Sequence, residues 1–337
     1  MIIIEETFSL KSFNTFGIQS YAKIFAEATT MDDLKNIIGI FRDNPLPKLV
    51  LGGGSNLLFT KDFDGIVLYP NLEGIELVRH SGESTWLRVY AGDNWDKFVE
   101  FCVSKNLGGI ENLSLIPGNV GACPIQNIGA YGVEVKDVIE SVETLDIFTG
   151  DKRIFSNAEC RFGYRDSIFK HEAKNKYIIT SVVFKLRKQP AIFLNYKEVI
   201  DEMHNFHEVT VATVRKAIIN IRRRKLPDPA EFGNAGSFFK NPIISTTQFQ
   251  SIKEKFSSAP CYVIDKESVK IPAAWLIENC GWKGKREGNV GTHAIQPLVI
   301  VNYDGATGSE VIHLAEKINE SVNQQFGIKL EMEVNVI

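Results

Sequence analysis

Short apolar runs separated by glycine turns organise the first third of the chain. Residues 48–51 form an apolar run that predicts a buried strand, a glycine turn follows at 52–56, and residues 65–69 predict the next strand. Over 94–106, apolar side chains recur at helical spacing and predict an amphipathic helix that Gly108 stops. Its buried face consists of Trp95, Phe98, Val99, Cys102 and Val103.

The stretch 111–132 has no such periodicity. Its sequence, ENLSLIPGNVGACPIQNIGAYG, is rich in Gly, Asn and Pro. A loop of this length within a compact domain is usually functional. Many backbone donors and little side-chain bulk suit a flat or extended cofactor that lies against the main chain. A long structural crossover is the alternative.

The second half of the chain again shows regular patterns. Strands are predicted near 138–148 and 177–186, and a helix over 211–225 is ended by Pro227. A second helix is predicted over 309–326, with a capping box at Thr307 and Glu310. Residues 328–336 alternate between apolar and polar side chains, which predicts a final strand. The buried stripe of the 211–225 helix is Val214, Ala217, Ile218 and Ile221.

Composition and charge narrow the class of protein. The chain has 337 residues, 44% of them hydrophobic and 23% charged, with a net charge of −3. This balance gives no electrostatic reason for a nucleic-acid partner. The five cysteines are scattered without a CxxC pair, so neither a metal site nor a disulfide framework is predicted. No signal-peptide pattern and no apolar run of about 18 residues is present, and a cytoplasmic location away from membranes is expected.

Two glycine-containing segments are candidates for chemistry. The turn Gly52-Gly53-Gly54-Ser55-Asn56 follows a strand, and its backbone N–H groups could approach a phosphate, although the third glycine of a Rossmann fingerprint is missing. Ser237 follows Gly236 and could act as a nucleophile or proton donor. In each case an ordinary turn is the alternative.

Charged residues give weaker signals. Glu331 and Glu333 share one face of the last predicted strand, where carboxylates either perform acid–base chemistry or are simply solvated. Arg161 and Arg165 flank Phe162-Gly163-Tyr164 and suit either an anionic ligand or a surface ion pair. The six histidines are predicted to be surface residues. These residues alone indicate an α/β enzyme with a glycine-rich anion-binding region.

Several segments, in one order along nearly the whole chain, resemble the family of UDP-N-acetylenolpyruvoylglucosamine reductases, also called UDP-N-acetylmuramate dehydrogenases. The matching segments are NTFGI (14–18), LGGGSN (51–56), IPG (116–118), PIQNIGAYG (124–132), CRFGYRDSIFK (160–170), KLPDP (225–229), GNAGSFFKNP (233–242) and LEME (330–333). The tyrosine-containing insertion around 195–197 resembles the longer of the family's two subtypes.

The resemblance implies an α+β architecture with an FAD-binding fold of the p-cresol methylhydroxylase / vanillyl-alcohol oxidase type. Its two subdomains would comprise residues 1–70 and 71–210. A third, substrate-binding domain would comprise 211–320, and residues 321–337 would return a strand toward the active site. FAD would be bound noncovalently, and NADPH would be the co-substrate. The implied FAD contacts are Gly53, Gly54, Ser55, Asn56, Leu57, Pro117, Gly118, Gly121, Ala122, Ile125, Gly129 and Tyr131.

The implied reaction is the reduction of UDP-N-acetylglucosamine enolpyruvate to UDP-N-acetylmuramate in peptidoglycan precursor synthesis. Hydride would pass from NADPH through FAD to C3 of the enolpyruvyl ether, and a proton would be added at C2. By motif match, Ser237 is the proton donor, while Arg165 and Glu333, the latter as the neutral acid, stabilise the enolic intermediate. The implied substrate contacts are Tyr196, Lys225, Asn241 and Gln296, with Lys225 facing the diphosphate.

The implied protein is a monomer with a small-molecule sugar nucleotide as its ligand. An oxygen-using flavin oxidase of the same superfamily is the alternative activity, and a flavin- or nucleotide-binding protein without turnover is the non-enzymatic alternative. The chain departs from the family pattern at Cys123, where a small residue is usual, and at Asn335, where a basic residue is frequent.

Overall fold

Helices and strands are mixed along the chain, and the computed structural model describes residues 2–337. The helices are α1 (Met31–Phe41), α2 (Trp95–Ser104), α3 (Lys197–Met203), α4 (Val211–Lys225), α5 (Thr246–Lys255), α6 (Ala273–Asn279) and α7 (Gly308–Phe326). The strands are β1 (Ile3–Ser9), β2 (Tyr21–Ala28), β3 (Lys48–Val50), β4 (Leu57–Leu58), β5 (Phe63–Pro70), β6 (Ile75–His80), β7 (Ser84–Tyr90), β8 (Gly129–Ala130), β9 (Val133–Glu134), β10 (Ile139–Asp146), β11 (Lys152–Ser156), β12 (Tyr177–Arg187), β13 (Ile243–Ser245), β14 (Tyr262–Val263), β15 (Ser268–Lys270), β16 (Arg286–Glu287), β17 (Val290–Thr292), β18 (Ile300–Asn302) and β19 (Asn335–Val336).

The chain divides into two compact units. The first unit comprises residues 1–8, 22–54 and 64–224, and the second comprises 9–21, 55–63 and 225–337. The predicted boundaries at residues 70, 210 and 320 belong to a finer division, which stays a prediction. Among residues 2–337, no helix combines the length and apolar character that a membrane crossing requires.

The first unit contains two sheets. Strand order is β1-β2-β5-β3 in one and β11-β10-β12-β7-β6 in the other, in which neighbouring strands are antiparallel. Helix α1 buries Leu34, Ile37, Ile38 and Phe41 in a core shared with β2 and β5. Helix α2 begins at the Asn94 cap and buries Trp95, Phe98, Val99 and Cys102, which confirms the predicted helix and its apolar face.

Helices α3 and α4 complete the first unit. The predicted stripe of α4 is confirmed, because Val214, Ala217, Ile218 and Ile221 are each at most 1% exposed. They pack with Val199 and Met203 of α3 in a separate apolar cluster. Burial of this stripe stabilises α4, while Lys216, Arg223 and Arg224 are exposed on the helix.

The second unit is built around α7. Thr307 and Glu310 form the predicted capping box, and Gly327 ends the helix in the left-handed conformation, with φ +66°. The core of this unit joins α6 and α7 to two three-stranded sheets, ordered β13-β15-β14 and β16-β17-β18.

The predicted last strand over 328–336 is wrong in extent, since only β19 is a strand and it pairs in parallel with β4. The N–H and C=O groups of Leu330 bond instead to the side-chain amide of Asn319. Ile328, Leu330 and Val334 are buried as predicted, whereas Val336 is 45% exposed. The alternation of apolar and polar side chains over 328–336 therefore predicts which side chains are buried, but not a strand, since most of the segment has no partner strand.

Candidate active site

The glycine turn after β3 lies against the 111–132 loop within the first unit. A Cβ atom on Gly53 would lie 2.8 Å from the Gly118 Cα and 2.9 Å from the Asn119 Oδ1, so no larger residue fits without movement. Gly54 and Gly118 have positive φ angles of +62° and +118°. Two stretches of bare backbone thus approach each other, which is the environment predicted for an anionic cofactor.

The next residues of this loop are fixed by backbone hydrogen bonds. Trp95 N–H donates to the Gly118 carbonyl at 3.0 Å, and Gly121 N–H donates to the Ala91 carbonyl at 3.0 Å. A Cβ on Gly121 would lie 2.6 Å from the Ala91 Cβ, and a Cβ on Gly52 would lie 3.5 Å from the Ala122 Cβ. Gly121 and Ala122 are therefore small because Ala91, just after β7, and the glycine turn pack directly against them.

The loop then meets the 160–170 segment. Ser167 Oγ donates to the Ile125 carbonyl at 2.6 Å, and the buried Asn127 side chain donates to the Gly163 carbonyl at 2.9 Å. Cys123 is buried, and burial raises the pKa of its thiol well above the ordinary value. The bonds from Ser167 and Asn127 therefore tie the part of the loop that contains the predicted cofactor residues Ile125 and Gly129 to the 160–170 segment.

Arg165 lies at the end of this network in an unusual conformation. Its φ is +54°, in the left-handed region that residues with a Cβ rarely adopt, and such strain is concentrated at functional sites. Its Nη2 donates to the Gly129 carbonyl at 2.9 Å. Arg161, by contrast, forms an exposed ion pair with Glu172, as the surface interpretation predicted.

Tyr131 and Tyr196 meet beside a basic residue that the motif analysis missed. Their rings pack edge to face with centroids 5.6 Å apart, and both rings pack against the apolar cluster of α3 and α4, near the charge of Arg222. Burial lowers the pKa of Arg222 and raises that of Tyr131. Arg222 lies four residues after the buried Ile218 and therefore on the same side of α4, and this spacing was the available signal that separates it from the exposed Arg223 and Arg224.

In the second unit, Ser237 and Glu333 lie on neighbouring segments. Ser237 forms an antiparallel bridge with Val299, and Phe239 forms one with Met332. Glu333 N–H donates to the Phe238 carbonyl at 2.9 Å. Asn56 Nδ2 donates to the Glu333 carbonyl at 3.3 Å, so the predicted residues Asn56, Ser237 and Glu333 are brought together.

Gln296 lies in the turn that leads to Val299. The Gln296 N–H donates to His293 Nδ1 at 3.2 Å, and its carbonyl accepts from Val299 N–H at 3.0 Å. Among the residues described, its buried Oε1 has no hydrogen-bond partner. His293 is half-buried, with a pKa lowered by burial, so the prediction that every histidine is a surface residue is wrong at this position.

The remaining predicted residues have distinct local roles. Asn241 Oδ1 accepts from Ala273 N–H at 2.8 Å at the start of α6. Lys225 is the half-buried last residue of α4. Ser55 and Leu57 also belong to the second unit, and Leu57 pairs with Asn335. Lys240 pairs with Glu331, which accounts for the first glutamate of the LEME segment.

Known proteins match this chain along its length. A model of the FAD binding domain matches residues 22–154, and a model described as UDP-N-acetylenolpyruvoylglucosamine reductase, C-terminal domain, matches residues 228–337. The UDP-N-acetylenolpyruvoylglucosamine reductase of Flavobacterium johnsoniae is 47% identical over 99% of both chains. The enzyme of that name from Pseudomonas aeruginosa is 45% identical over 99% of this chain and 98% of its own.

The chain belongs to the UDP-N-acetylenolpyruvoylglucosamine reductase family. The resemblance read from the sequence is thereby confirmed. The crystal structure of UDP-N-acetylenolpyruvylglucosamine reductase from Thermus caldophilus has the same fold, with a TM-score of 0.69 and 24% identity over 100% of this chain and 99% of its own. The predicted α+β, FAD-binding fold is also confirmed.

The residues present fit the FAD that the family implies. Gly53 and Gly118 approach so closely that a Cβ on Gly53 would collide with the Gly118 backbone, so main chain meets main chain here without an intervening side chain. Gly54, Gly118 and Tyr131 all have positive φ angles, which place successive peptide groups in orientations that an ordinary strand or helix excludes. This backbone is therefore suited to a phosphate-containing cofactor.

Proposed function

We propose that this member of the UDP-N-acetylenolpyruvoylglucosamine reductase family reduces UDP-N-acetylglucosamine enolpyruvate to UDP-N-acetylmuramate. NADPH is the hydride donor, FAD is the cofactor, and the reaction belongs to peptidoglycan precursor synthesis. The observation that carries the proposal is the pairing of the Ser237 and Glu333 segments through the Glu333–Phe238 hydrogen bond. This pairing occurs in a chain that shares 47% of its residues with a full-length relative of that name.

The chemistry requires three functions from side chains. Reduction of the enolpyruvyl double bond adds hydride at C3 and a proton at C2, and negative charge develops on the adjacent carboxylate. The Ser237 hydroxyl is the proton donor in this proposal, because it can give a proton to C2 and does not need to act as a nucleophile. Arg165 and Glu333 stabilise the developing charge, Arg165 through its guanidinium and Glu333 as a neutral hydrogen-bond donor.

FAD, when bound, would accept the hydride from NADPH and supply it to the substrate. The backbone of Gly53, Gly54 and the 117–131 loop would hold it. Ser55, Asn56 and Leu57 continue this turn on the second unit. Gly53 matters through the absence of a side chain, since a Cβ there would push the glycine turn away from Gly118 of the loop.

Four further residues bind the sugar nucleotide in this proposal. Lys225 provides a point charge for the diphosphate, and Tyr196 provides an aromatic surface beside Tyr131. Asn241 uses its oxygen on α6, so its amide nitrogen is the atom available to donate to substrate. Gln296 offers the buried Oε1, which needs a donor.

The protein acts in the cytoplasm as a monomer in this proposal. Cytoplasmic action agrees with five thiols that form no disulfide among the described residues and with the nucleotide-linked substrate. The chain's net charge of −3 favours no nucleic-acid partner.

One assay tests the proposed function. The purified protein is expected to be yellow and to release intact FAD on acid precipitation. It should oxidise NADPH rapidly only when the enolpyruvyl sugar nucleotide is present. A protein that cannot be reconstituted with FAD, or that oxidises NADPH at the same rate without substrate, contradicts the proposal. Oxygen consumption driven by an alcohol in the absence of NADPH would instead support the flavin-oxidase alternative.

A further inference from the structure

A buried ion pair joins α2 and α4 next to the cofactor loop. Arg215 of α4 is only 8% exposed. Its Nη1 donates to Asp96 Oδ1 at 2.6 Å, and its Nη2 donates to Asp96 Oδ2 at 3.0 Å. Asp96 lies in the first turn of α2, and its Oδ1 also accepts a hydrogen bond from the Leu115 N–H. One carboxylate therefore connects two helices to the residue that precedes Ile116-Pro117-Gly118.

Leu115 is in a conformation that needs such support. Its φ is +60°, in the left-handed region that is unfavourable for a residue with a Cβ. Unfavourable conformations of this kind persist when the surrounding contacts determine them. Three residues further on, the Gly118 carbonyl accepts from Trp95 N–H, the neighbour of Asp96. The first turn of α2 thus holds the segment 115–118 at both of its ends.

Arg215 also relates this segment to the second half of the loop. Arg222 follows Arg215 by seven residues, which is two helical turns and the same side of α4. Tyr131 packs against the apolar cluster of α3 and α4, so α4 meets the second half of the loop directly and its first half through Asp96. An isolated buried ion pair is a weak source of stability compared with well-packed apolar residues. The bidentate geometry is better suited to fixing the position of α4 than to adding stability.

We propose that Asp96 and Arg215 are positioning residues that hold Leu115, and through it the Ile116–Gly118 segment, in the conformation that binds FAD. They act through the loop backbone and are not themselves cofactor contacts. The inference rests on the proposed function, because FAD is the ligand whose binding reports the loop conformation.

The test measures the Kd for FAD on protein freed of flavin, using the change in flavin fluorescence on binding. Asp96→Ala removes the acceptor for Leu115 and should raise the Kd at least about tenfold. Asp96→Asn keeps an oxygen that can accept from Leu115 and should raise the Kd less. Arg88→Gln is the matched control, since it breaks the Arg88–Glu143 ion pair between β7 and β10 of the same unit. Its Kd should stay within about twofold of wild type, although its melting temperature falls.

Each outcome has a distinct meaning. Wild-type protein that does not bind FAD contradicts the proposed function. Wild-type binding with an unchanged Kd in Asp96→Ala contradicts the positioning role and leaves the proposed function intact. A Kd that rises as much in Arg88→Gln as in Asp96→Ala also contradicts it, because general destabilisation would then explain both.

A second variant covers the case in which Asp96→Ala does not fold. Arg215→Lys keeps the charge but cannot form the two-pronged contact with Asp96. It should raise the Kd for FAD by roughly threefold or more, and the Leu115 amide of the flavin-free protein should exchange its hydrogen faster than in wild type. An unchanged Kd together with unchanged exchange would overturn the inference.

Discussion

The Glu333 N–H donates a hydrogen bond of 2.9 Å to the carbonyl oxygen of Phe238. Since Phe238 directly follows Ser237, this bond fixes the backbone of two proposed catalytic residues relative to each other. The bridge between Phe239 and Met332 extends the same pairing. The local backbone is therefore set independently of the hydroxyl and carboxyl groups, and each can be changed without removing the contact that positions it.

Ser237→Ala should separate the two halves of the catalytic cycle. Ser237 gives its proton to the substrate, so the reduction of bound FAD by NADPH should remain nearly as fast as in wild type. Reoxidation of the flavin by the enolpyruvyl sugar nucleotide should slow by roughly 10²–10⁴-fold, the usual contribution of a positioned acid. Ser237→Cys should keep part of this activity. Stopped-flow absorbance in the flavin band measures both steps.

Ser245→Ala is the control for this experiment. Ser245 caps α5 in the same unit through a bond from Gln248 N–H, and its loss should cost about 1 kcal/mol of stability without affecting either half-reaction. Equal slowing of both steps in Ser237→Ala, with FAD still bound, would show that Ser237 is not a selective proton donor.

Lys225→Ala should weaken binding of the sugar nucleotide. A charge-assisted contact to a diphosphate contributes about 1.5–3 kcal/mol, so the KM should rise by roughly tenfold or more while the thermal stability changes little. Lys216→Ala removes an equal charge from the exposed face of the same helix and should leave the KM unchanged. Steady-state kinetics at varied sugar-nucleotide concentration give the KM of each variant. Equal KM values in Lys225→Ala and Lys216→Ala would show that Lys225 is only a charge at the end of the helix.

Gly53→Ala should impair FAD binding. The new Cβ would lie 2.8 Å from the Gly118 Cα, a backbone atom that can move only if the cofactor loop moves. We expect the Kd for FAD to rise at least about tenfold. Gly39→Ala makes the same change in α1, where a Cβ would meet no atom within 4 Å, and should stabilise the protein by about 0.5–1 kcal/mol. Flavin fluorescence titrations measure the Kd for FAD of both variants. Similar Kd values in Gly53→Ala and Gly39→Ala would exclude the close approach of Gly53 to Gly118 as the explanation.

Periodic segments were predicted from the sequence more reliably than the contacts that connect them. Helices α2 and α4 were predicted with their buried faces, and α7 with its capping box, because amphipathic spacing and caps are local signals. The alternation over 328–336 is equally local, yet Asn319 takes the backbone groups of Leu330 and only β19 finds a partner strand. Whether an alternating segment becomes a strand depends on a neighbour that the pattern does not specify.

The glycine segments of the candidate site were recognisable from the sequence, because two backbone segments can come this close only where a residue has no side chain. The supporting side chains were not. Asp96 and Arg215 are 119 positions apart, and each has an ordinary role on its own helix until the fold brings them together. Arg222 belongs to no motif, and its burial follows only from the side of α4 that it shares with Ile218 and Arg215. The roles proposed for Arg165, Ser237 and Glu333 come from motif matches, and the Ser237→Ala experiment tests the first step of that assignment.

The Asp96–Arg215 pair should make the stability of the first unit depend on pH. Burial raises the pKa of Asp96, but the bonds from Arg215 and Leu115 outweigh it, and the pKa is lowered overall. A carboxyl with a lowered folded-state pKa contributes stability that is complete above its unfolded pKa of about 4 and is lost as pH falls through the folded value. Asp96→Asn should therefore lower the free energy of unfolding by about 1–3 kcal/mol at pH 7. The deficit should shrink as pH falls below about 4, because the unfolded-state carboxyl is protonated there while the folded-state carboxyl gains its proton only at a lower pH.

Urea unfolding at pH 7, 5 and 3.5 measures this difference, and Arg215→Gln provides the control background. In that background, Asp96→Asn should change the urea midpoint much less at pH 7, because the charge that lowers the Asp96 pKa is gone. Leu115 would still bond to either side chain at position 96, so a small pH-independent effect can remain. A deficit that stays constant or grows on acidification would contradict the pKa direction. An equal deficit with and without Arg215 would show that the ion pair does not control Asp96 ionisation.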